Sequence, residues 1–204
     1  MAITYPLNFP STLTVSSITI APKNAVEESR SPFTFQSQVY NLGGEMFTIS
    51  GTLPLMTKEQ AEEYVSFLFK LKGKYGSFLF PIPISTPRGV ATGTPLVKGG
   101  GQTGNSLIID GMTPSTTNIF RAGDWINLGS GLTTRLHKIL NDANTNGSGE
   151  VTVDLWPALR ESPSDNAPVT VTNCKAHLRL DNDYGYSIDT NKHYFLEFAA
   201  SEVI

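Results

Sequence analysis

The chain has 204 residues, 39% hydrophobic and 16% charged, with a formal net charge of −3. That length supports one large or two small domains, each with a core that needs no staples, and the low charge, with 18 glycines and 13 prolines, suits a turn-rich β protein. The slightly acidic balance argues against a nucleic-acid surface, which needs clustered positive charge.

The N-terminal segment MAITYPLNFPST lacks the basic and apolar regions of a signal peptide. No apolar run approaches the ~18–20 residues that cross a membrane, so synthesis in the cytoplasm without membrane insertion is expected. Leu13–Ile20 alternates as a strand. Phe33–Tyr40 and Glu45–Leu53 read as a hairpin turning at Asn41-Leu-Gly-Gly44, with Phe47, Ile49, Gly51 and Leu53 on one face. A helix follows. Thr57 is its N-cap, Gln60 completes a capping box and Gly73 stands at the left-handed C-cap. Ala61, Tyr64, Val65, Leu68 and Leu71 share one helical face, opposite Glu59, Glu63, Ser66 and Lys70. Ser77–Ile84 is an apolar strand that Pro81 and Pro83 bring to a close.

Residues 88–174 change in texture. Six short apolar pulses stand between turn-forming stretches: Leu96-Val97, Leu107–Ile109, Trp125–Leu128, Leu136–Leu140, Val151–Leu155 and Val169–Val171. Their spacing predicts a small barrel or sandwich. Longer strands return at Ala176–Leu180, Tyr184–Ile188 and His193–Phe198, where Tyr194, Leu196 and Phe198 share a face. One domain formed by 1–87 and 175–204, with a second β domain inserted at 88–174, is the expected organisation.

Several motifs carry a chemical reading and a plainer one. Gly99-Gly-Gly-Gln-Thr-Gly104 fits a dinucleotide fingerprint, but a strand rather than a helix follows it, so a glycine turn is expected. Asp142, Asn144 and Asn146 imitate the first half of a calcium loop. The twelfth position is Val153 where a bidentate glutamate is needed, so a polar hairpin is the better account and no metal is expected. Asp181-Asn-Asp183 is another acidic turn. His137, His177 and His193 have no metal-ligand spacing, and no nucleophile elbow is present, so no catalytic residue is assigned. Cys174, the single cysteine, excludes internal disulfides and reads as a small buried thiol. Trp125 and Trp156 are candidates for stacking on a sugar ring or a base, though aromatics within apolar pulses more often serve a core or an interface. No cofactor is called for.

The order of these parts resembles the distal tail protein of long-tailed (siphovirus) bacteriophages, in the short form with an OB-like inserted domain. The matching stretches are the helix-and-strand unit Leu53–Pro83, the lead-in Thr86-Pro-Arg-Gly89 and the strand Gly101–Asp110. They continue with Phe120–Gly129, turning at Arg121-Ala-Gly-Asp124, then Arg135–Leu140, Val151–Val169 and a closing aromatic strand. The resemblance implies a mainly β fold: a tail-tube-like β-sandwich with one flanking α-helix, plus an inserted small OB-like β-barrel. It implies a structural, non-enzymatic virion component at the phage tail tip, a homohexameric ring between the tail tube protein and the baseplate hub. Tape-measure protein would be a further partner, and DNA only passing cargo. An acidic chain is compatible with a channel through which DNA slides. A carbohydrate-binding adhesin module of the tail tip is the alternative, and a hydrolase the third reading.

Overall fold

Residues 3–11 and 14–204 are described by the computed structural model. With 45% of the chain in strands and 8% in helix, the fold is mainly β, with one α-helix among the described residues and a nearly closed, barrel-like sheet. Two compact units divide the chain: Met1–Phe9 with Gly76–Leu178, and Pro10–Tyr75 with Arg179–Ile204. Strands are numbered along the sequence.

In the first unit, β1 (Leu7–Asn8) runs parallel to β4 (Phe78–Pro81), and β11 (Lys175–Leu180) pairs antiparallel with β4 from Lys175↔Pro81 to Leu178↔Phe78. The six apolar pulses become six strands: β5 (Gly93–Val97), β6 (Gly104–Met112), β7 (Trp125–Leu128), β8 (Arg135–Ile139), β9 (Val151–Leu159) and β10 (Val169–Thr170). They form one sheet in the order β10-β7-β8-β9-β6-β5. Its two ends meet where the Val97 N–H donates to the Ala167 carbonyl (2.9 Å) and Leu96 bridges Pro168. Alternate residues of these strands, among them Val97, Leu107, Ile109, Ile126, Ile139, Val153 and Leu155, fill the core. β9 buries every odd-numbered position from Val151 to Leu159, the two-residue period of a strand with one face inward.

The chain enters this sheet through a carboxylate. Asp124 is buried, and its Oδ1 accepts the Arg88 N–H (2.6 Å), while Oδ2 accepts those of Gly89 (3.1 Å) and Arg121 (2.8 Å). The Arg88 guanidinium donates to the Ala122 carbonyl at 2.7 Å. A β-carbon on Gly89 would come within 2.6 Å of the Ile119 carbonyl oxygen, so the close backbone approach requires glycine there.

The second unit holds β2 (Ser17–Arg30), β3 (Ser37–Thr52), the helix α1 (Lys58–Leu71), β12 (Ser187–Ile188), β13 (Tyr194–Phe195) and β14 (Glu197–Glu202). β3 lies between β2 and β14, antiparallel to both. The strand expected at Leu13–Ile20 starts on a residue outside the described ones, and pairing begins at Ser17↔Thr52. The expected hairpin at Asn41–Gly44 is corrected: β3 runs through those residues without reversing. The Asn41 side chain accepts the Gly43 N–H (2.8 Å), Gly43 has φ 75, and the register slips from Asn24↔Glu45 to Val26↔Asn41. The glycines are a bulge within one strand. Chain reversal happens instead at 31–36.

The helix follows its sequence closely. Thr57 caps it with Gln60 in a capping box, and the Thr57 N–H donates to Gln60 Oε1 at 3.2 Å. Ala61, Tyr64, Val65, Leu68 and Leu71 are buried, joined by Phe67, and the left-handed turn begins one residue early at Lys72 (φ 53) before Gly73 (φ 62). A β-carbon at Gly73 would collide with the Asp183 carboxylate, so that glycine is fixed by both conformation and space.

Replacing Asp124 by alanine strips three backbone N–H groups of a charged acceptor, and the unfolding free energy in urea should fall by about 2–3 kcal/mol. Asp124→Asn, which keeps the shape without the charge, should fall between that variant and the wild type.

Candidate functional site

The residues singled out for chemistry are mostly held by the backbone. Gly99–Gly104 joins β5 to β6 as a hairpin, with the Gly99 N–H on Asp165 Oδ1 (2.7 Å) and the Gln102 side chain bonded to both backbone groups of Ile108. In the β8–β9 connection, the Asp142 carboxylate accepts the Ala122 N–H (2.8 Å), Asn144 accepts that of Asn118 (2.7 Å), and Asn146 accepts those of Ser148 and Glu150. Oxygens already spent on amides tie the loop down, and no cluster of three His, Cys, Asp or Glu suited to a metal ion occurs among the described residues.

The histidines lie apart. His137 is buried, and its Nδ1 stands 2.8 Å from the Pro157 carbonyl, which only accepts, so the proton is on Nδ1. His177 Nε2 lies 2.9 Å from Ser77 Oγ. At 1% and 4% exposure this pair has no solvent face on which a substrate could sit. His193 pairs with Asp189 (3.2 Å) in the β12–β13 turn, where the backbone N–H of His193 first and the imidazole with it hold the Asp189 carboxyl below its ordinary range.

Trp125, Lys138 and Trp156 stand side by side across β7, β8 and β9. Trp125 is buried, at 4% exposure, and the Lys138 ammonium lies 3.9 Å from its ring centroid, a cation–π contact. Burial pushes Lys138 below its ordinary range, against the pull of Asp124. Trp156 is half-buried. Trp125 therefore presents no open ring to a ligand. Cys174 is fully buried, its Sγ 3.4 Å from the Trp125 carbonyl oxygen, and burial lifts the thiol to about 12.

The feature that sequence reading missed is in the second unit. From Pro22 to Gly44, apart from the half-buried Ser31, the β2–β3 ribbon and its turn are exposed on both faces. Ser31 closes the turn, accepting the Phe35 N–H on its carbonyl (3.0 Å) and those of Phe33 and Thr34 on its hydroxyl. The tip is apolar: Phe33 is 91% exposed and Phe35 75%, with Val39 and Leu42 behind them. Phe35 has φ 58, a left-handed conformation that costs a bulky L-residue about 1–2 kcal/mol and that glycine or asparagine adopts with less strain. An isolated two-stranded ribbon is marginal in water, and the large apolar side chains exposed at its end make it a candidate interaction surface. The Ser31-Pro32 dipeptide was the available turn signal. No protein-family model and no curated protein matches the chain.

Because the native thiol at Cys174 keeps its proton up to about 12, while an unfolded one releases it near its ordinary value, the unfolded state binds fewer protons in between. Stability should fall as pH rises across that window. The urea midpoint, followed from pH 8.5 upward, should decline less steeply in Cys174→Ala, and alkylation of the native thiol should be slow until the unit opens.

Proposed function

We propose that this chain is a structural component of a bacteriophage tail tip, a subunit of a homohexameric ring that joins the tail tube to the baseplate hub. The observation that carries the reading is the exposed, apolar-tipped β2–β3 arm. An arm with nothing to bury against in its own unit is built to be covered by a neighbour, and a patch repeated on identical subunits gives a closed ring when the rotation closes. Beside it stand the sequence resemblance to distal tail proteins, the mainly β architecture with one helix, and polar loops whose side chains serve the backbone rather than a reaction. In this reading the finer architecture is a tail-tube-like sandwich with an OB-like barrel. The tube, hub and tape-measure proteins are its partners, and DNA passes through the opening. The adhesin alternative has less behind it, since Trp125 is buried beneath Lys138.

A gold-labelled antibody against the chain, applied to tails of the encoding phage, should mark only the junction of tube and tip. Label on fibres, or no label on particles, overturns the reading. Phe33→Ser with Phe35→Asn should leave the melting temperature unchanged or raise it, because the strained aromatic is gone, yet prevent incorporation into tails. A variant that still assembles normally would sink the role given to the arm.

A further inference from the structure

The barrel-like sheet has an open mouth at the end where β7 and β9 stop and β8 begins. Residues opposite one another on paired strands share a face. Ile126 and Leu128 lie in the core, so their partners His137 and Arg135 are on the inner face as well. An arginine turned inward in a small barrel needs a partner, and this one borders a recess of about 230 Å³. Leu128 and Leu159 line its apolar side, Arg160 stands on the wall, and Ser162 and Ser164 are exposed in the segment after β9. Barrel mouths are common places for small ligands.

The Arg135 guanidinium is only half committed. Its side chain is 16% exposed, and Nη1 donates to the carbonyls of Leu132 (3.3 Å) and Thr134 (3.2 Å), which fix the plane of the group. Nε is buried and has no hydrogen-bond partner among the described residues. Nη2 meets Glu161 Oε1 at 3.5 Å, and that glutamate side chain is 71% exposed. A buried donor without an acceptor costs free energy and calls for an explanation. Nε and Nη2 form one edge of the guanidinium, the pair of parallel donors that takes both oxygens of a carboxylate. Glu161 holds that edge with a single long contact from the surface, an arrangement worth little.

We propose that this recess binds a small hydroxylated carboxylic acid. Its carboxylate displaces Glu161, which swings outward, and takes the Nε–Nη2 edge of Arg135 with both oxygens. Arg160 adds positive charge, and the hydroxyls of Ser162 and Ser164 meet those of the ligand. The recess is smaller than the ~300–1,000 Å³ of drug-sized sites, so the ligand is the size of one sugar ring or less. The site lies within the first unit and depends on neither the arm nor the ring.

Full-length chain titrated calorimetrically with D-glucuronate should bind it with a Kd on the order of 1 mM, which is what about a dozen heavy atoms supply. D-glucose, the same ring without the carboxylate, should not bind. Glu161→Gln should fold as the wild type and bind glucuronate about two- to fivefold tighter, because a competing exposed ion pair is gone. Arg135→Lys keeps the charge without the fork and should weaken binding by about tenfold or more. Should that variant fail to fold, Glu161→Gln decides alone. Methyl D-glucuronide, capped where a glycan would continue, separates the sources: equal binding assigns the site to an acid within a glycan, and loss of binding to the free acid. No binding of glucuronate, equal binding of glucose, or an affinity indifferent to Glu161→Gln overturns the site. Acetate or inorganic phosphate binding as tightly as glucuronate overturns the ligand class.

Discussion

Cross-strand pairing between β2 and β3 is the interaction on which the second unit depends. It begins at Ser17↔Thr52, where β3 is also held by β14 and buries Phe47, Ile49 and Gly51. It then continues to Arg30↔Ser37, where backbone hydrogen bonds hold the two strands together but no core lies beneath either face. A strand that is anchored over about half of its length and bare over the rest transmits the rigidity of the core outward. The bulge at Asn41–Gly44 adds local twist to that ribbon, which sets the direction in which the tip faces. Exposure at the tip and order at the root are therefore two ends of a single mechanical element.

Much of this was legible in the sequence. The helix was, because its apolar period, its capping box and its terminating glycine agree with one another, and local agreement of that kind is seldom overridden. The six pulses of residues 88–174 were too: each became a strand, because short β-branched and aromatic runs between glycine-rich turns have few other uses. The arm was not. Asn41-Leu-Gly-Gly44 is a strong hairpin signal taken alone, and only the pairing partner upstream shows it to be a bulge. Register is a property of two strands, and β2, polar along most of its outer length, gave periodicity nothing to detect.

The same limit explains the candidate sites. Asp142, Asn144 and Asn146 look like ligands when read along the chain, yet Asp142 and Asn144 point their oxygens at distant amides that sequence cannot locate, and Asn146 closes a local turn on Ser148 and Glu150. Asp124 drew notice only as part of a turn, while its carboxylate also gathers the N–H groups of Arg88 and Gly89, 36 and 35 residues away. Trp125 could be placed in an apolar pulse, but its cover by Lys138 follows from strand register alone. Polar side chains in this protein serve chiefly to finish the backbone, the demand that buried amides place on any fold rich in loops.

β2 is an edge strand, and its outer half reads Lys23, Glu27, Glu28 and Arg30 among small residues. Charges of both signs along a bare edge discourage a second ribbon from aligning beside it, the usual safeguard against edge-to-edge aggregation. Pairing along that edge is thereby disfavoured, and the aromatic tip, with Phe33 and Phe35, is left as the most exposed apolar part of the ribbon. Crowded subunits are then protected from lateral growth into fibres, and the contact that remains open to them is the one made at the tip.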